Sequence, residues 1–145
     1  MRSRRGFSVI ELLTVMIVIG ILASIALLRY RDFTNEALAA RVGTDMQTVR
    51  LAALNYYSET SNWPPEAAPG QVPAELARFL PDGWHFTTAS YELDWDNLGG
   101  VVGVTVRSER AGLIRKLSQR FVRGNPFVDL GGSVMYIITA PGVPI

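Results

Sequence analysis

The stretch "RRGFSVIELL", Arg4 to Leu13, decides the architecture of this chain. Two arginines and a glycine precede an apolar run, and a carboxylate stands a short way into it. Glu11 is the one ionisable side chain in the 22 residues from Phe7 to Leu28. As an α-helix that run would measure roughly 33 Å, enough to cross a hydrocarbon core of about 30 Å. A carboxylate inside such a segment costs about 2.5–3.5 kcal/mol by insertion scales, so it demands a partner or a function.

Three readings of the segment compete. A secretory signal peptide would explain the basic start, the apolar middle and Ser24-Ile25-Ala26 as a weak cleavage site. Leu27 and Leu28 follow at once, however, and Glu11 stands where the apolar region should begin. A plain single-pass anchor explains the length and places Arg2, Arg4 and Arg5 on the cytoplasmic side, although Arg29, Arg31 and Arg41 flank the other end. It leaves Glu11 unexplained. The third reading cuts the chain between Gly6 and Phe7, which would put a new α-amino group on Phe7. Glu11 would then lie about 6 Å along the helix axis from that ammonium, in a first turn where the macrodipole favours a negative charge. Between neighbouring, staggered helices, such a pair at about 4 Å and an effective dielectric near 20 is worth roughly 4 kcal/mol before desolvation.

"RRGFSVIELLTVMIVIGILASIAL" resembles the class III leader and transmembrane start of type IV pilins and type II secretion pseudopilins. The resemblance covers about the first 30 residues, and its spacing of glycine, hydrophobic residue and glutamate is highly specific. It implies cleavage after Gly6, N-methylation of Phe7 and a Glu11 that aids subunit recruitment, with Arg2, Arg4 and Arg5 as the basic residues of the leader. The implied partners are a prepilin peptidase/methyltransferase, other pilin-like subunits in a homo- or hetero-filament, and an inner-membrane assembly platform. The implied location is the inner membrane, crossed once, with the N-terminus cytoplasmic and the head outside. Many major subunits of this family carry a proline late in the membrane helix, where Leu28 stands here. Gly20 is then the only intrinsic weak point, at about 1 kcal/mol relative to alanine, and the missing proline tilts the reading towards a minor subunit.

Beyond the membrane run, no proline occurs from Arg29 to Glu59. Leu38, Val42, Met46, Val49, Ala53 and Tyr56 recur at three- and four-residue steps, with Asp32, Glu36, Arg41, Asp45 and Arg50 mostly between them. The pattern predicts an amphipathic helix continuous with the membrane segment. "SNWPPEAAPGQVP", Ser61 to Pro73, ends it as a linker anchored by Trp63, and "PAELARFL" reads as a short helix stopped by "PDG". Tyr91 to Asp96 alternates as a half-buried strand, and Gly99-Gly100 turns the chain into a second strand carrying Val102, Val104 and Val106. Ser108 would cap a helix with Leu113, Ile114, Leu117 and Phe121 on one face, closed by Gly124 and "NP". Ser133 to Thr139 gives a third strand and Trp84 to Thr88 a fourth. The expected fold is α+β and pilin-like, a long N-terminal helix packed on a small, mostly antiparallel sheet with one further helix. The parse is residues 1–6 leader, 7–28 transmembrane segment, 29–60 amphipathic stalk and 61–145 extracytoplasmic head.

Composition narrows what that head does. The 145 residues carry a formal net charge of +1, which argues against a nucleic-acid binder, and no cysteine, which removes disulfides, thiolate metal sites and a cysteine nucleophile. His85 is the only histidine and reads as structural beside Trp84 and Phe86. Glu92, Asp94 and Asp96 share a strand face and would suit calcium, but a solvated acidic face is the commoner explanation. Arg110, Arg115, Lys116, Arg120 and Arg123 give the second helix a basic face, read as solvated or as a subunit contact rather than a DNA-binding surface, since no aromatic platform accompanies it. No catalytic residue, metal site or cofactor site is expected, and the chain is not expected to be an enzyme. A type II secretion pseudopilin is the first expectation, because the chain is short and lacks a cysteine pair to clamp a C-terminal loop. A minor type IV pilin or competence pseudopilin is the alternative, and a single-pass anchored binding domain the alternative of another class.

Overall fold

The computed structural model describes residues 7–121 and 126–140. One α-helix, α1, runs over Val9–Thr60, so the proline-free interval is helical throughout. The chain divides into two compact units, residues 1–34 and residues 35–145.

In the first unit every side chain from Phe7 to Phe33 is exposed. This part of α1 is long and apolar enough to cross a membrane. Its internal polar groups are satisfied locally. Thr14 Oγ1 donates to the Ile10 carbonyl at 2.8 Å, and Ser24 Oγ donates to the Ile21 carbonyl at 2.7 Å. Hydroxyls turned back onto the preceding turn leave no bare donor for lipid to meet. Among the described residues, none comes within 4 Å of the position a Cβ on Gly20 would occupy.

In the second unit α1 becomes one-sided. Ala39, Val42, Met46, Val49, Ala52 and Ala53 are buried at helical spacing, and they meet the sheet in one apolar cluster. The helix ends where Ser61 adopts a left-handed φ of 55° and its N–H donates to the Tyr57 carbonyl at 2.8 Å. The linker then returns along the sheet. Trp63 stacks on Tyr57 with ring centroids 4.5 Å apart, and the Pro64 carbonyl accepts from Trp95 Nε1 and Asn97 Nδ2 at 3.2 and 2.8 Å. Trp63 therefore anchors the linker as expected.

The sheet has four antiparallel strands in the order β1-β2-β4-β3, namely β1 Glu92–Asn97, β2 Val102–Arg107, β3 Phe127–Asp129 and β4 Ser133–Thr139. The pairs Leu93 with Val106, Trp95 with Val104, Val104 with Tyr136 and Val106 with Val134 put β-branched and aromatic side chains on the core face. The helix α2, Ala111–Phe121, buries Leu113 and Leu117. Its last ring stacks on Phe127, 4.9 Å between centroids, and Phe127 lies 4.6 Å from Tyr136. Gly43 of α1 makes room for this stack, because a Cβ there would stand 2.7 Å from Phe121 Cζ.

Four expectations need correction. "PAELARFL" forms turns and a three-residue 3-10 helix, Ala77–Phe79, whose bonds (Leu76 N–H to Pro73 O, Phe79 N–H to Leu76 O) close over three residues. The fourth strand is β3, not Trp84 to Thr88. The latter makes a single bridge, Thr87 to Glu92, because the chain turns at once, with Thr88 N–H donating to the Tyr91 carbonyl at 2.9 Å. Ser108 precedes α2 without capping its first turn: its Oγ accepts from Arg110 N–H at 3.1 Å and donates to the Ser90 carbonyl at 2.6 Å. Asp94 is buried rather than solvated. The expected closure of α2 at Gly124 lies outside the described residues.

At β3 the chain also restrains Asp129. Ser118 Oγ donates to Asp129 Oδ2 at 2.6 Å, and Gly131 N–H donates to Oδ1 at 2.8 Å. At the irregularity in the β2–β4 register, Gly103 lies against the neighbouring backbone, and an added Cβ would stand 2.6 Å from the Tyr136 carbonyl oxygen. Gly103→Ala should therefore destabilise the head by about 1–3 kcal/mol, since a main-chain atom cannot swing aside as a side chain can. Urea unfolding followed by tryptophan fluorescence will read this loss.

Candidate functional site

Glu11 is the residue for which the sequence demanded a partner, and its surroundings are local. Ser8 immediately precedes α1, and its carbonyl accepts from Leu12 N–H at 3.2 Å, which makes it the N-cap. Ser8 N–H donates to Glu11 Oε2 at 2.9 Å, while Glu11 N–H donates to Ser8 Oγ at 3.2 Å. This is a reciprocal capping box: two otherwise orphaned amides are satisfied and the carboxylate gains a donor. The pattern Ser8-x-x-Glu11 is a capping signature in the sequence, which a search for opposite charges does not pick out. Glu11 is thus partnered within a single chain. Phe7 is 76% exposed. Gly6 and the leader residues Arg2, Arg4 and Arg5 lie outside the described residues.

The basic face of α2 is partly matched by α1. Arg120 Nη1 donates to Glu36 Oε1 at 2.8 Å, and Lys116 Nζ lies 3.6 Å from Glu36 Oε2. Where α2 begins, Gly112 lies against the Asn35 side chain. The basic residues thus help fix α2 on the helix beneath it. Arg123 lies outside the described residues.

His85 is exposed, whereas its neighbour Phe86 is buried. Glu92, Asp94 and Asp96 do not converge on a common point. Asp94 Oδ2 pairs with Arg107 Nη1 at 3.1 Å, Asp96 accepts from the Thr105 hydroxyl, and no metal-binding group of three occurs among the described residues. Asp94 Oδ1 is buried without a hydrogen-bond donor among the described residues. An open hollow of about 720 Å³ at this end of the sheet is lined by Thr87, Ser90, Glu92, Arg107, Arg110 and Ser133 among others, so it carries charges of both signs. On the opposite side of β1, Tyr91 donates its hydroxyl to Asp45 of α1, and burial first, then that bond, pushes the phenol up to about 12.

A family model described as the prokaryotic N-terminal methylation motif matches residues 1–27. The chain is 38% identical over 53 residues to a fimbrial protein of Pseudomonas aeruginosa, covering 37% of this chain and 34% of that protein. It is 42% identical over 52 residues to a probable minor fimbrial protein of Dichelobacter nodosus, 36% of this chain and 33% of that protein. It is 34% identical over 61 residues to the type IV major pilin protein PilE1 of Neisseria gonorrhoeae, 42% of this chain and 37% of that protein. The matched part thus spans about a third of the length of these relatives. In its methylation motif and apolar N-terminal helix the chain is similar to type IV pilins, and its fold is α+β and pilin-like.

The buried acid gives a test of the head. Burial, then the neighbouring charge of Asp96, holds the Asp94 carboxyl above its ordinary range against the pull of Arg107. The folded chain therefore binds this proton more tightly than the unfolded chain does. The resulting stability is present below the unfolded carboxylate value and is lost as pH rises through the folded one. Asp94→Asn should remove that component. Compared with wild type, its urea midpoint should fall less, or rise, between about pH 4 and pH 7.

Proposed function

We propose that this chain is a filament subunit that waits in the inner membrane as a single-pass protein with its head outside the cytoplasm. A prepilin peptidase cuts after Gly6 and methylates the new amine of Phe7. The apolar part of α1 then joins the helices of other pilin-like subunits on an inner-membrane platform, with Glu11 facing a neighbour's Phe7 ammonium. The observation that carries this reading is the methylation motif over residues 1–27, which opens on the glycine, phenylalanine and glutamate of the processing site.

Two filament systems fit. A type II secretion pseudopilin is supported by the absence of a cysteine pair to clamp a pilin-like C-terminal loop. A type IV pilus subunit, of minor rank, is favoured by the fimbrial names of the relatives, one of them a probable minor fimbrial protein. In both, the head is a contact surface rather than a catalyst. Deleting the gene in its own host separates them, through loss of exported protein in one case and of surface fibres or twitching in the other.

The membrane-extracted protein should begin at a methylated Phe7, and in cells lacking the peptidase its intact mass should rise by the residues up to Gly6 less one methyl group. An uncut chain in peptidase-positive cells overturns the filament reading. Glu11→Val should insert as well as wild type or better, since a carboxylate leaves the apolar segment, yet enter filaments several-fold less beside wild-type subunits. Shearing and immunoblotting measure that ratio.

A further inference from the structure

The apolar run of α1 stops abruptly. Leu28 is its last residue, and Arg29, Tyr30, Arg31 and Phe33 follow at once on the same unbroken helix. All four are exposed, Tyr30 by 65% and Phe33 by 72%, so both rings are left largely uncovered. Neither guanidinium has an ion pair among the described residues. Side chains advance about 100° per residue around a helix. Arg29 and Phe33 therefore share one side, Tyr30 lies about a quarter-turn on, and Arg31 falls on the far side. The segment is a ring rather than a stripe.

A protein neighbour meets a helix from one side, whereas a membrane boundary meets it on every side. Exposed rings beside guanidiniums suit that boundary, since the rings rest at headgroup level while the arginines reach the phosphates. The charge agrees. Two arginines less Asp32 leave +1 on the segment, and phosphate carries the opposite sign.

We propose that Arg29, Tyr30, Arg31 and Phe33 form a belt that binds the phospholipid phosphates of the extracytoplasmic leaflet and sets the depth at which α1 sits. The inference rests on the membrane-spanning reading above and adds what holds the helix in register with the bilayer. From Arg29 back to Val9, where α1 begins, is about 30 Å of helix, the thickness of a hydrocarbon core. With the belt at one boundary, Glu11 comes to rest about 3 Å inside the other, and Phe7 reaches the headgroups beyond it. Once Arg2, Arg4 and Arg5 leave with the leader, that far end keeps only the Phe7 amine beside Glu11, and the belt is the anchor that remains.

The chain has no cysteine, so a single introduced cysteine carries a spin label to a chosen depth. Full chains bearing Val9→Cys, Val18→Cys or Ala26→Cys are placed in vesicles of phosphatidylcholine and phosphatidylglycerol. Power saturation against oxygen and a water-soluble nickel chelate reads each depth. Arg29→Gln/Arg31→Gln should let the helix slide towards its N-terminal side by about 3–5 Å, two or three residues of rise, so that the Ala26 label sinks and the Val9 label emerges. Tyr30→Gln/Phe33→Gln should move it the other way, because the rings no longer hold the segment at the boundary. Arg29→Lys/Arg31→Lys should keep the original depths, since phosphate accepts either cation. Carbon–phosphorus dephasing of guanidino-labelled arginine should fall in the glutamine pair. Unmoved labels in that pair overturn the proposal, as does a lysine pair that slides equally far or dephasing that stays the same. A water-exposed Val18 label in the otherwise unaltered chain overturns the membrane-spanning reading itself, and the belt with it. The vesicles hold neither peptidase nor filament, so failure of the processing or assembly readings leaves these outcomes unaffected.

Discussion

One constraint governs this chain: a single helix must satisfy its backbone in two different surroundings. From Val9 to Leu28 α1 is apolar on every side but for Glu11, and the Thr14 and Ser24 hydroxyls are bonded to their own preceding turn. Over its later part it buries one stripe against a sheet. The same repeating hydrogen-bond ladder serves both, since helical N–H and C=O groups need neither water nor a partner strand. Only the ends require special measures, and both have them. Ser8 and Glu11 close the start, while Ser61 in a left-handed conformation closes the finish.

The head follows from the stripe. Ala39, Val42, Met46 and Val49 offer small and medium side chains, against which Trp95, Val104 and Val106 can lie closely. Polar contacts then fix the pieces rather than create the core. The Tyr91 hydroxyl reaches Asp45, and Glu36 gathers Arg120 and Lys116. Exposed pairs of the second kind contribute little each, so they set the placement of α2 more than its stability.

Much of this was legible in the residues. The apolar run and the three- and four-residue steps point to α1, period-two alternation to β1 and β2, and the Gly131-Gly132 turn before an apolar run to β4, because those patterns are local. What escaped was set by contacts distant in sequence. Phe127–Asp129 is too short for alternation to show and is flanked by turn-forming residues, yet Phe127 is held between Phe121 and Tyr136. Asp94 was assigned correctly to its strand face, but periodicity says nothing of what another segment lays over that face. The linker returns along β1 there, with Glu66 accepting from Asn97 N–H at 2.5 Å and Thr87 reaching the Gly70 carbonyl at 3.2 Å. The capping box carries a local signal as well, a serine followed three residues later by a glutamate, although charge pairing alone points from Glu11 towards Phe7.

The brevity of β3 has a consequence for crowding. A sheet margin three residues long, ending in an aspartate already committed to Ser118 and Gly131, offers scant template for another chain's backbone. The opposite margin is occupied by the bridge at Thr87 and the bond from Asn97 to Glu66. Among the described residues, the sheet therefore leaves few free main-chain groups at either margin for a strand of another molecule to pair with.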